Sequence, residues 1–258
     1  MTLYIDIGWL LAVLLISVRI AAATAFAPVF GPTMIPAPVR VALAFALGAI
    51  LVSITPARPA LIGTPQLAQL IVAMLGETVI GLSFAFGLLA AYAATQIAGR
   101  ALDVQVGFGA ASVLNPAIRG LSPLIGSVLG MSMLVVFLSM DGHHLLLQAL
   151  AASTTSIEPA SLDSASLANL ATRVVEHSSV MFAFALSLAA PVMFALWLAD
   201  VAMSVFARSM PQLNVFLLSF AVKIVLGMVG LAMSIGITRR IFNGLNESLF
   251  RFWGSLGS

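Results

Sequence analysis

Four ionisable side chains stand inside long apolar stretches of this sequence: Arg19, Glu77, Asp200 and Lys223. A charge in a membrane-spanning helix costs about 3 kcal/mol on insertion scales, so each is expected to face a bundle interior or a wet cavity and to have a partner. Spacing indicates which. Asp200 lies 10 residues before the turn near Met210 and Lys223 lies 13 after it, so in an antiparallel hairpin their levels differ by only about 5 Å. Arg19 lies 12 residues after Ile7 and Glu77 lies 10 after Leu67, which gives them similar depth if those helices run parallel. Such charges can form buried pairs that fix helix register, or they can relay protons or ions; register is the favoured reading. On that reading, charge-swapped double variants recover assembly, whereas swaps that assemble and yet block activity speak for a relay.

The remaining candidates for chemistry are weaker. Asp141-Gly142-His143-His144 sets an acid beside two imidazoles, but adjacent residues point about 100° apart on a helix and no third ligand is in sight. A helix end with interfacial His is expected there. No HExxH or GxSxG occurs, and Gly107-Phe108-Gly109 lacks the flanking strand and helix of a dinucleotide loop. With no Cys there is no disulfide, thiolate metal site or thiol nucleophile. No catalytic centre, metal site or cofactor is expected.

Of the 258 residues, 61% are apolar and 8% charged, against roughly a quarter charged in soluble chains. That excludes a soluble globular protein, and lipid or apolar partners must be its solvent. A net charge of +2, spread along the chain, gives no nucleic-acid footprint. The start of the chain lacks the basic stretch of a secretory signal, so the N-terminus is expected to be retained despite Ala25-Phe26-Ala27.

Six apolar runs carry these residues, about Ile7 to Phe30, Val39 to Ile54, Leu67 to Ala98, Pro123 to Ala152, Val180 to Ala207 and Leu213 to Ile237. All but the second exceed the roughly 20 residues that span a bilayer core. Lipid leaves no water to satisfy an open sheet edge, so an all-α, polytopic, membrane-associated bundle of about six long apolar helices is expected. If the runs alternate across a membrane, Arg40, Arg100, Arg119 and Arg208 fall on one side and Arg58, Arg173, Arg239, Arg240 and Arg251 on the other. Four against five gives no orientation by the positive-inside rule. Some runs then fail to cross, or assembly with partners overrides the rule.

Ser153 to Ser179 reads as a solvated polar connector, with Leu162, Leu167 and Leu170 marking a short surface helix. Gly99 to Gly120 is too apolar for a free loop and too Gly-rich for a stable helix, which suits irregular backbone buried in protein or lining a cavity. A tight interhelical turn is the plainer alternative. Gly126 and Gly130 form a GxxxG, and Gly81 with Ala85 and Ser83 with Gly87 are small pairs that admit close helix approach.

The run Arg208-Ser209-Met210-Pro211-Gln212-Leu213-Asn214-Val215-Phe216 resembles the Arg-x-x-Pro-Gln-apolar-Asn-apolar-Phe signature of the FliR/SctT family of type III secretion export-gate subunits. Asp103-Val104-Gln105-Val106-Gly107 is similar to the family's Asp-x-Gln-x-Gly. Arg19 with Pro28, Pro36 and Arg40, and Glu77 with Gly81, follow its earlier pattern, so the resemblance covers nearly the whole chain. Arg100 and Asp141 depart from it, standing where an acidic or amide residue and an Asn are usual.

The resemblance implies a FliP-like part over 1–178, with a plug-like loop at 106–120 and the polar connector at 153–178, then a FliQ-like hairpin and tail over 179–258. It implies a single-copy, non-enzymatic pore subunit that joins FliP-like and FliQ-like subunits, an FlhB-like subunit and an FlhA-like component. Such a gate sits in the bacterial inner membrane at the flagellar basal body, partly projecting to the periplasmic side, and passes unfolded flagellar proteins. Phe108, Gly109, Val113, Leu114, Asn115 and Pro116 are the expected plug residues. Asp103, Gln105, Gly107, Arg208, Pro211, Gln212 and Asn214 are expected in assembly. The alternatives are an SctT-type subunit of a virulence secretion system, a secondary ion or solute transporter using the four charges, and an intramembrane hydrolase using His143 or His144 with Ser139.

Overall fold

A computed structural model describes residues 6–26, 36–55, 66–108, 123–210 and 215–256, with backbone alone at 215–217. Eight helices and no strand occur among them: α1 (Ile7–Ala25), α2 (Ala37–Ile54), α3 (Leu67–Val106), α4 (Leu124–Ser139), α5 (Gly142–Ser156), α6 (Ser164–Ser209), α7 (Val215–Met233) and α8 (Ile235–Leu256). The chain is thus the all-helical polytopic bundle its composition demands. Helices α1, α2, α3 and α6 are each long and apolar enough to cross a membrane, and the total reaches six if each of two bent pairs is one span.

Four local features differ from the sequence reading, each for an identifiable reason. The fourth apolar run is broken: α4 and α5 meet at 66°, because Asp141 takes a left-handed conformation (φ 54°) that short polar side chains tolerate. Residues 99–106 are helical, so α3 runs unbroken for 40 residues, about 60 Å. The absent side chain of Gly99 is used for packing, since a Cβ there would strike the backbone of Gly126 on α4. The connector is far shorter than expected, because α6 starts at Ser164 and runs for 46 residues; Asp163 opens it by accepting from the Ser166 amide at 2.8 Å. The expected tail is α8, whose Phe242, Leu245, Leu249, Phe252 and Leu256 are all buried.

Spatially the chain forms two compact units, interleaved along the sequence. One comprises Met1–Ala90, Met140–Ser178 and Glu247–Ser258, the other Ala91–Ser139 and Ser179–Asn246. In the first, Ala12, Val13, Ile16 and Ile20 of α1 pack on Ala44 and Val52 of α2. Gly81 brings α3 against the Arg19 carbonyl and Ala22 of α1. In the second, Gly126 and Gly130 of α4 lie on the Tyr92, Gln96 and Gly99 face of α3, where Gln96 Nε2 donates to the Gly126 carbonyl at 2.9 Å. In lipid such contacts supply the dispersion energy that hydrophobic burial supplies in water.

Candidate functional site

Two polar clusters occupy these units. In the first, Arg19 and Glu77 are almost fully buried, at 0% and 1% exposure. Arg19 Nε donates to Glu77 Oε2 at 2.6 Å. One terminal guanidinium nitrogen donates to the Ser153 carbonyl at 2.8 Å and to its hydroxyl at 3.0 Å, and the other donates to the Ile157 carbonyl at 3.1 Å. Every guanidinium nitrogen therefore has an acceptor. Ser153 lies in the last turn of α5, where its carbonyl also accepts from the Ile157 amide at 3.0 Å, and Ile157 is the C-cap, so Arg19 meets the carbonyl end of the helix and complements its dipole. The second carboxylate oxygen of Glu77 accepts from the Ala160 amide at 3.1 Å. The pair thus pins the turn between α5 and α6 onto α1 and α3. A guanidinium does not deprotonate in proteins, which suits this fixed role and not proton relay.

The second cluster explains the Asp-x-Gln-x-Gly spacing at the end of α3. Asp103 is buried; its Oδ1 accepts from the Ile125 amide at 3.1 Å and its Oδ2 from the Gly126 amide at 3.4 Å. It thereby caps α4, whose first amides have no intrahelical partner. Gln105 Nε2 donates to Asp200 Oδ2 on α6 at 3.2 Å, while Asp200 Oδ1 lies 2.5 Å from Lys223 Nζ on α7. This ion pair is half-buried, with side chains 38% and 20% exposed. Gly107 follows the last residue of α3 at φ +100°, a backbone that favours glycine, and a Cβ there would lie 2.7 Å from the Phe220 ring of α7. Three residues thus tie one helix end to α4, α6 and α7.

Beyond Gly107 only Phe108 of the expected plug is described; it is half-buried and lines an apolar groove with α4, α7 and α8. Gly109, Val113, Leu114, Asn115 and Pro116 lie outside the described residues, as do Pro211, Gln212 and Asn214. Arg208 is exposed in the last turn of α6, where a cation complements the helix dipole. His143 and His144 are exposed at the start of α5, and Ser139 Oγ donates to the Val136 carbonyl. Among the described residues no three acidic or His side chains converge as metal ligands.

Two buried polar side chains escaped the sequence reading. His177 lies with Nε2 3.2 Å from the Gly87 carbonyl of α3 and its ring stacked on Phe252, centroids 4.2 Å apart. Trp253 Nε1 donates to the Phe84 carbonyl at 3.0 Å. The available signal was the recurrence of Phe242, Leu245, Leu249, Phe252 and Leu256 at helical spacing, which marks α8 as a packed element.

With this geometry established, comparison with known proteins is decisive. The family model described as "Bacterial export proteins, family 1" matches residues 10–249. The chain belongs to this family. Flagellar biosynthetic protein FliR of Bacillus subtilis (strain 168) is 33% identical over 246 residues, covering 92% of this chain and 93% of that one. The FliR of Caulobacter vibrioides is 27% identical over 222 residues, covering 86% and 87%. Yop proteins translocation protein T of Yersinia pestis is 30% identical over 147 residues, covering 57% and 56%. Membership in the bacterial export family makes the chain a membrane subunit of a type III export gate, acting as a structural component and not as an enzyme. The polar clusters are then devices that hold export-gate helices in place.

Proposed function

We propose that the chain serves a flagellar export gate as its single-copy pore subunit, shaping and closing a channel for unfolded flagellar proteins. The observation that carries the flagellar reading is the near full-length likeness to the Bacillus FliR, against partial coverage for the Yersinia protein. On this reading residues 1–178 act as a FliP-like part and 179–258 as a FliQ-like hairpin and tail. FliP-like, FliQ-like, FlhB-like and FlhA-like components are its partners, at the inner membrane of the basal body with a portion projecting toward the periplasm. The anchoring of Asp103, Gln105 and Gly107 on three helices supports a plug role for the segment that follows, because a plug needs a fixed root. Pro211, Gln212 and Asn214 belong to assembly in this proposal.

Deletion of Gly109 to Ile118 tests the plug. The gate should still co-purify with FliP-like and FliQ-like subunits while small-ion leak across the cell membrane rises. A deletion gate that assembles and stays ion-tight overturns the plug role; co-purification with injectisome components alone overturns the flagellar assignment.

A further inference from the structure

A groove of about 560 Å³ in the second unit is walled by Val128, Ser132 and Val136 of α4 and by Met228 and Leu231 of α7. Among the described residues its lining is apolar apart from Ser132, Thr238 and one charged side chain, Arg239, exposed on α8. No acidic residue among the described residues faces it. Neither Arg239 nor its neighbour Arg240 forms an ion pair among the described residues, where the two pairs are Arg19–Glu77 and Lys223–Asp200. Both arginines follow the 60° bend after the apolar α7, and basic residues just beyond an apolar segment suit charged headgroups.

We infer that this groove holds an acyl chain of an anionic phospholipid, with the lipid phosphate at Arg239. Volume is compatible with that occupant, since about 560 Å³ lies in the range of pockets that hold small molecules. Charge favours it, because an unpaired guanidinium beside an apolar slot matches a molecule with a phosphate on an apolar tail, and Arg offers a planar fork that phosphate oxygens can accept from in pairs. The aliphatic stem of Arg239 can lie along the slot while its head reaches the phosphate. A zwitterionic lipid fills the slot equally well and lacks only the net charge.

The full chain, delipidated in a non-ionic detergent, is to be titrated with phosphatidylglycerol or phosphatidylcholine and read by native mass spectrometry, alone and within the isolated gate. One phosphatidylglycerol should be retained per chain, favoured over phosphatidylcholine roughly fivefold, the factor for one basic residue near an anionic surface. Arg239→Gln, an exposed substitution, should abolish that preference and leave apolar retention. Ser132→Phe should fill the groove and lower retention of both lipids, while Arg251→Gln should change neither. Equal retention of the two lipids, or a preference that survives Arg239→Gln, overturns the inference. So does a gate in which a cross-linker at Val128→Cys captures a protein partner and no lipid is retained.

Discussion

Exchanging the charges of the two ion pairs should give opposite results, although depth alone treats them alike. In Arg19→Glu/Glu77→Arg, the introduced carboxylate at position 19 faces the Ser153 and Ile157 carbonyls, and the introduced guanidinium at position 77 faces the Ala160 amide. Donors meet donors and acceptors meet acceptors. The charge pair survives, but the charge-assisted hydrogen bonds around it, each worth about 1.5–3 kcal/mol, are lost in a fully buried site. The swapped protein should remain at least about 3 kcal/mol less stable than wild type, since two or more such bonds are lost. That is roughly a hundredfold or more in the folded-to-unfolded ratio. Asp200→Lys/Lys223→Asp differs. The pair is half-exposed and its third member is the Gln105 amide, which can turn to offer oxygen where it offered nitrogen. Its swap should stay within about 1 kcal/mol of wild type. Sodium dodecyl sulfate titration of the full chain in mixed micelles, followed by far-UV circular dichroism, measures both. Wild-type stability in the Arg19/Glu77 swap would show that the pair sets register only, and would refute the cage argument.

Removing the α4 cap by Asp103→Ala should cost about 1–2 kcal/mol, with most recovered in Asp103→Asn, whose amide oxygen still accepts from the Ile125 amide; equal losses in the two variants would mean that charge and not capping matters. Gly107→Ala should destabilise by about 1–3 kcal/mol, since it adds φ strain to a clash with Phe220. Phe220→Ala in the same chain should relieve only part, and full rescue would exclude the strain component. The carboxyl of Asp163 is held below the usual carboxylate range, first by the Ser166 side chain and then by the Ser166 amide. A folded value below the unfolded one means that the cap acts fully above the unfolded value and is lost as pH falls through the folded one. Hydrogen exchange at the Ser166 amide, corrected for intrinsic rate, should lose protection as pH falls through that window; rising protection would reverse the assignment.

What sequence could supply here follows from which geometry each inference needs. Pairing Arg19 with Glu77 needs only the rise per residue, so depth counting reached it. The carbonyls of Ser153 and Ile157 could not be reached, because they lie where polarity suggested a solvated connector. Residues 99–106 mislead for a related reason: small residues mark both irregular backbone and a tight helix crossing, and only the contact of Gly99 with Gly126 distinguishes them. The motif at 103, 105 and 107 was found by resemblance, yet its roles needed neighbours. At about 100° per residue, Asp103 and Gln105 face nearly opposite ways on α3 and so serve different helices. The α8 pattern is legible in Phe242, Leu245, Leu249, Phe252 and Leu256, in a stretch less apolar than the six runs before it.

The burial of Phe252 and Trp253 has a consequence for how the protein is made. Phe252 lies under the His177 ring and against Gly87, and Trp253 donates to the Phe84 carbonyl 169 positions earlier, so the first unit takes part of its core from residues synthesised long after the rest of it. Phe84 and Gly87 of α3 wait, through the synthesis of the intervening chain, for the side chains that pack on them. During that interval their open face is available to lipid, to chaperones or to other subunits. A chain that stops before Phe252 would never close it, which gives quality control a structural mark by which such a chain can be told from one that carries α8.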